Sequence, residues 1–269
     1  MLRTARFNDR ARKLLAFTPL QYMIEAVTEN EKLAQIYVDD DNIPECCAML
    51  LGHYLFIGGE VTEDFFRALT ETLFTQKKRE QMEIVIVFYE NETVAGYFRE
   101  FFDSVHNGER SLYHQKPVLH KKADGFKRII PIDMELLDSK IQNLSMITGE
   151  VLGTATYDDM KDFCERGIGF TYASDNMICG FCTSEYPCIS SVAIGIEVSE
   201  EYQRRGIASE MTKGFLQSAA KRDLDVYWEC WKKNEASAKT ALACGFHKVA
   251  DYPVLFVDLI WEYTASHTE

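Results

Sequence analysis

No stretch of this chain approaches the ~20 consecutive apolar residues that a bilayer-spanning helix needs, which argues against a membrane-embedded protein. Its start, Met1-Leu2-Arg3-Thr4-Ala5-Arg6-Phe7-Asn8-Asp9-Arg10, mixes charges without a continuous apolar core, so a cytoplasmic protein is expected. Positive charge is also short, with 29 Lys and Arg against 42 Asp and Glu and a formal charge of -13. That balance speaks against nucleic acid or an anionic membrane as partner and favours a cationic small-molecule amine. No repeat or low-complexity tract is visible, and a convincing metal-ligand set is lacking too. Cys179, Cys182 and Cys188 want a fourth ligand and no His lies nearby, so no metal is expected. His106, His114 and His120 read as surface loop residues, and Asp39-Asp40-Asp41 as a solvated turn, because consecutive side chains cannot all converge on one ion. The eight cysteines are scattered and include adjacent Cys46 and Cys47, a pattern of reduced thiols rather than of a disulfide framework. The Asn-x-Thr at Asn91 and Asn-x-Ser at Asn143 carry no meaning in a chain that is not secreted.

What is present is ample core material: 269 residues, 46% apolar and 12% aromatic, enough for one large domain or two small ones. Leu14 to Tyr37 predicts one or two helices interrupted at Pro19. Cys46 to Ile57 followed by Gly58-Gly59 predicts a strand or hairpin, Thr62 caps a helix over Glu63 to Thr75, and Glu83 to Tyr89 is a strand. This alternation predicts an N-terminal α/β domain over residues 1–125, with Ser104 to Gly125 as linker to a second domain over 126–269. There, Asp138 to Ile147 and Tyr157 to Glu165 look helical. Gly167 to Ala173, Met177 to Glu185 and Cys188 to Val198 predict an antiparallel meander. Val226 to Trp231 is a strand, Glu235 to Cys244 a helix ending at Gly245, and His247 to Val257 a closing strand broken by Pro253.

The organising stretch is Ser190 to Phe246. A strand ending at Val198 leads through a polar turn into Gln203-x-x-Gly206-x-Ala208. A helix follows in which Ile207, Ala208, Met211, Phe215, Leu216 and Ala219 form one apolar face. A helix beginning near Gly206 presents unpaired amides and the positive end of its dipole, which suits a phosphate or pyrophosphate. Small residues at 206 and 208 let the ligand reach the backbone, and Arg204 and Arg205 add charge at the rim. The second block, Trp228-Glu229-Cys230 through Asn234, Ser237 and Gly245-Phe246, follows about twenty residues on. Together the two blocks resemble the GNAT acetyltransferase superfamily, closest to the subgroup with zwittermicin A resistance-type proteins, over roughly Asp133 to Val257.

The resemblance implies a GNAT-type α/β (α+β) fold, a mixed, mainly antiparallel sheet flanked by helices, and acetyl-CoA as acetyl donor. It implies that the Val192–Val198 and Val226–Trp231 strands splay apart and that main-chain groups of Ile196 to Val198 receive the pantetheine arm. The pyrophosphate would lie on the amides from Arg204 through Arg205, Gly206, Ile207 and Ala208 to Ser209, after Gln203. Asn234 and Ser237 match positions that face the pantetheine, although Asn234 can equally cap its helix, or do both. The amide of Val198 would meet the oxyanion. Glu197 is the candidate base, because two-residue alternation puts it on one face with Ala193 and Gly195, small residues that leave room for substrate; a solvent-facing Glu is the plain alternative. Seven residues after Asn234, where many members carry a tyrosine that can protonate the leaving thiolate, this chain has Ala241. Cys230 and Cys244 read as core residues. The expected activity is transfer of the acetyl group to a primary amine of a small molecule, the alternatives being a non-catalytic CoA-binding module and a protein amine acetyltransferase.

Overall fold

The structure is a computed structural model, and it describes residues 2–74, 82–119, 128–154 and 156–259. Thr75, His120 and the boundary expected between residues 125 and 126 lie outside the described residues. The chain forms two compact units, one running to Arg110 and resuming at Tyr252, the other Ser111–Asp251.

In the first unit, β1 (Arg3–Thr4), α1 (Asp9–Leu14), α2 (Gln21–Glu29), β2 (Gln35–Val38), β3 (Cys46–Leu51) and β4 (Tyr54–Gly59) come in order. Then follow α3 (Glu63–Leu73), β5 (Ile84–Tyr89), α4 (Glu92–Phe101) and the start of β6 (Val105–Gln115). The sheet runs β1-β2-β3-β4-β5 and is completed by the end of the closing strand β12 (His247–Asp258); β4 and β5 are parallel, while β1 with β2, β2 with β3, β3 with β4 and β5 with β12 are antiparallel. Alternation splits β3 to β5 cleanly. Ala48, Leu50, Leu55, Ile57, Val85 and Val87 pack with Phe65, Phe66, Leu69, Val94 and Phe98 of α3 and α4. On the other face Phe56 stacks on Phe88, and the bare backbone of Gly58 admits the Leu14 carbonyl at the end of α1. Helices therefore cover both faces, the arrangement that two-sided apolar strands demand. The Thr62 hydroxyl accepts from the Phe65 amide, a cap worth about 1 kcal/mol.

In the second unit, β7 (Ile129–Pro131), α5 (Met134–Leu137), α6 (Leu144–Gly153) and α7 (Met160–Arg166) precede β8 (Gly169–Ser174), β9 (Met177–Glu185) and β10 (Ser191–Val198). Next come α8 (Ile207–Lys221), β11 (Asp225–Trp231) and α9 (Glu235–Ala243), and the strand order is β6-β11-β10-β9-β8-β7. β8 to β10 form the expected antiparallel meander, β7 adds an antiparallel edge strand beside β8 that the sequence did not suggest, and β11 joins β10 in parallel. Val192, Ile194, Val226 and Trp228 pack against Ile207, Met211 and Phe215 of α8 and Ala241 of α9. The opposite side holds Ile147 and Val151 of α6, Phe163 of α7 and Phe181 of β9.

Four expectations are corrected. Val105–Gln115 is a strand rather than linker, its Leu112 and Tyr113 buried. The helical reading of Leu14 to Tyr37 shifts, with α1 ending at Leu14, α2 beginning after Pro19, and Ile36 and Tyr37 in β2. Asp138 to Ile147 is not one helix; α5 closes at Leu137 and α6 opens at Leu144, after Asn143 in the left-handed region at φ 62°. The closing strand runs through Pro253 unbroken, with that ring exposed. The two sequons have structural settings instead: the Asn91 side chain caps α4 by accepting from the Thr93 and Val94 amides, and Asn143 is the residue that enters α6. In the acidic turn, Asp39 and Asp40 each accept two backbone amides and Asp41 pairs with Arg3.

Candidate active site

β10 and β11 pair only through Ser191, Val192 and Ala193 with Asp225, Val226 and Tyr227. Beyond that point β10 continues to Val198 and β11 to Trp231, while β9 stays paired with β10 as far as Val198↔Gly180. A notch therefore opens between Ile194–Val198 and Trp228–Trp231. Two bonds fix which main-chain groups line it. The Asp225 amide donates to the Ser190 carbonyl at 2.9 Å, and the Ser199 amide donates to the Cys179 carbonyl at 2.9 Å. Since alternate residues direct their polar groups to opposite edges of a strand, Ser190, Val192, Ile194, Ile196 and Val198 face the β11 side, and odd-numbered residues face β9. Ile194, Ile196 and Val198 thus turn their backbone toward the notch, and the Val198 carbonyl is held there by the Gln203 side-chain amide at 3.0 Å.

That bond also ties the strand to the loop before α8. Gly206 is the N-terminal cap of α8 at φ 77°, in the left-handed region that L side chains resist, and it contributes no side-chain cap. The Glu210 amide reaches back to the Gly206 carbonyl at 3.0 Å, and the amides of Ile207, Ala208 and Ser209 open the helix ahead of that bond. A Cβ on residue 206 would meet nothing within 4 Å, so glycine is needed for the backbone conformation, and the space over it is open. Arg204 and Arg205 are exposed beside it, with the Arg205 guanidinium 5.2 Å from the centre of the Tyr202 ring. A 15-residue helix whose free amides stand beside two arginines and an open glycine is an anion site in form.

At the far side of the notch the Asn234 side chain caps α9 by accepting from the Ser237 amide at 3.1 Å, and the Ser237 hydroxyl accepts from the Trp228 indole at 2.9 Å. Both residues thus have definite structural work, Asn234 as cap and Ser237 as partner of a buried tryptophan. Ala241 is fully buried in the cluster that includes Trp228, Cys244 and Phe246. Burial raises the thiols of Cys182 and Cys244 above the ordinary range, so neither is a ready nucleophile.

Glu197 stands exposed on the face it shares with Ala193 and Gly195. The free room expected over those small residues is not there. Ala193 is buried, and the Glu185 Oε1 sits where a Cβ on residue 195 would be, with the Glu150 Oε1 3.5 Å from the same point. Trp228 lies on the opposite face: Ala193 pairs with Tyr227, so Tyr227 and Glu229 share the side of Glu197. By the same reasoning Thr183, which pairs with Gly195, and Glu185, which pairs with Ala193, belong to that side. Glu150, Glu185, Thr183 and Tyr227, none of them singled out by the sequence, thus join Glu197 on this side. The alternation in Met177–Glu185 marks which of its residues share a face, but only the register against β10 says which glutamate meets Gly195. Among the described residues no three His, Cys, Asp or Glu side chains could together hold a metal ion.

The chain matches the family model described as GNAT acetyltransferase over residues 15–255, a span that takes in most of both units. An uncharacterized N-acetyltransferase of Bacillus subtilis, YdfB, is 20% identical over 228 residues, covering 82% of this chain and 84% of the relative. The solved GCN5-related N-acetyltransferase-like protein of Streptococcus suis superposes with a TM-score of 0.68 at 17% identity, covering 92% of this chain and 98% of that one. A GNAT-family acetyltransferase of Colwellia psychrerythraea gives a TM-score of 0.52 at 14% identity, with 96% and 99% covered. The structural likeness, at such identities, bears on the fold, and the family match on the sequence itself: the chain belongs to the GNAT acetyltransferase family.

Proposed function

We propose that this protein transfers the acetyl group of acetyl-CoA to a primary amine of a small molecule. The observation that carries the reading is the release of β10 from β11 after Ala193↔Tyr227, beside the open amino end of α8. The backbone of Ile196 and Val198 offers the pantetheine amides an edge to pair with, as an added strand would. The amides of Gly206 to Ser209, with Arg204 and Arg205, receive the pyrophosphate, and Gln203 holds the end of β10 against that loop. Asn234 and Ser237 set the other wall of the notch through the α9 cap and Trp228.

In the transfer, the acceptor nitrogen forms a bond to the thioester carbonyl carbon, the carbon–sulfur bond breaks, and the amine proton leaves to Glu197 directly or through water. The products are an N-acetyl amide and the free thiol of CoA. The Val198 amide meets the developing oxyanion. Ala241 supplies no proton, so the thiolate departs unaided, which a group of pKa near ~8.5 tolerates, and it takes its proton from solvent to give the free thiol. The zwittermicin A resistance-type resemblance and the acidic charge of the chain both suit a small cationic acceptor. The alanine at 241, where many members of the family it resembles carry a tyrosine able to protonate the thiolate, favours one other reading, a CoA-binding module without turnover. Calorimetric titration with acetyl-CoA followed by a thiol-release assay on a panel of primary amines separates the two: saturable heat with amine-dependent thiol release supports the transferase, heat without release supports the module, and no heat refutes both.

A further inference from the structure

The face of the second unit that carries Glu197 holds more chemistry than one base needs. The Glu185 carboxylate of β9 lies over Gly195, in the place a side chain there would take, and α6 brings the Glu150 carboxylate to within a few ångströms of the same point. Two carboxylates converging on one point offer acceptor oxygens to a cationic group placed between them. An independent feature points the same way. Thr183, directly across the strand pair from Gly195 and two residues before Glu185 on the same face, is 1% exposed, and its hydroxyl has no hydrogen-bond partner. A buried hydroxyl is almost always satisfied in a folded protein, so one on the same face as the carboxylate pair and directly across from Gly195 is suited to a ligand that brings its own donors. An ammonium group has three.

We infer that Glu185, Glu150 and Thr183 form a subsite for a second ammonium group of the acceptor, so that the preferred substrate is a diamine whose other nitrogen reacts at Glu197. This rests on the reading of the site as an amine acetyltransferase. Residues 195 and 197 lie two strand rises apart, which sets the two nitrogens roughly 7 Å from each other. The subsite thereby accounts for Gly195, whose missing side chain makes the Glu185 position possible.

The test uses the full chain saturated with CoA and titrated with 1,4-diaminobutane or butylamine, beside thiol-release rates for linear α,ω-diamines of rising length and the matching monoamines. The diamine should bind about tenfold to a hundredfold more tightly than the monoamine, the span of a charge-assisted hydrogen bond or two, with an optimum at one chain length. Glu185→Gln should erase that ratio. Glu150→Gln, on a half-buried helix face where folding is less at stake, should shrink it. Equal affinity for diamine and monoamine, or a preference that survives both variants, would overturn the subsite. Monoamines and diamines acetylated alike would leave the transferase standing without it. Diamine binding that depends on Glu185 but never leads to acetyl transfer would support the subsite and refute the transferase.

Discussion

Replacing Gly206 by glutamate separates the loop's role in the fold from its role in binding. At φ 77° a non-glycine residue pays a conformational penalty of about 1–2 kcal/mol. No steric cost is added, since nothing lies within 4 Å of the new Cβ. For a chain of this size that corresponds to a fall in Tm of about 2–8 °C. The effect on binding arises separately. A carboxylate about 5 Å from one negative charge of the pyrophosphate repels it by ~0.8 kcal/mol at a dielectric constant of ~80 and ~3 kcal/mol at ~20. Affinity for acetyl-CoA should therefore fall between about fourfold and a few hundredfold from charge alone, before the side chain's bulk over the open amides is counted. Gly206→Asn is the control, because asparagine tolerates the left-handed conformation without bringing charge. Calorimetry with acetyl-CoA and thermal unfolding without it read the two effects apart. Unchanged titration heat in the glutamate variant, with the expected loss of Tm, would refute the placement of the pyrophosphate on this loop.

Glu197→Gln should lower kcat by about tenfold to ten-thousandfold with little change in acetyl-CoA affinity, and a pH–rate profile identical to the wild type would move the base to water or another residue. Ala241→Tyr forces a phenol into a fully buried position beside Trp228 and Phe246, so stability should fall by about 1–3 kcal/mol without a gain in kcat; a faster enzyme with unchanged Tm would show the opposite. Tyr157 is buried, and loss of hydration raises its phenol from 10.0 to about 12, with the Ser184 hydrogen bond acting the other way. Its folded-state pKa is the higher one, so its contribution to stability is complete below the unfolded value and is lost as pH rises toward the folded one, about 3 kcal/mol in all. Urea unfolding across that interval should show the decline in the wild type and a flatter profile in Tyr157→Phe.

The local sequence determined a good deal. Thr62, the apolar spacing after it, the Gly206 start of α8 and the limits of β9 are set by interactions within a few residues, namely caps, backbone torsions and side-chain periodicity, and each was legible without a partner strand. The strand β6 was not legible, because His106 to His114 carries little alternation and becomes a strand only through its neighbours in the sheet. Nor was the site's acidic side. Alternation put Glu197 with Gly195, but a strand's own sequence does not contain its register, and a shift of one residue would have sent Glu185 to the other face. It is the pairing of Ala193 with Glu185 on one edge and with Tyr227 on the other that puts Glu185 on the face of Glu197 and turns Trp228 away. Those pairings join residues distant along the chain, and the tertiary structure alone decides them.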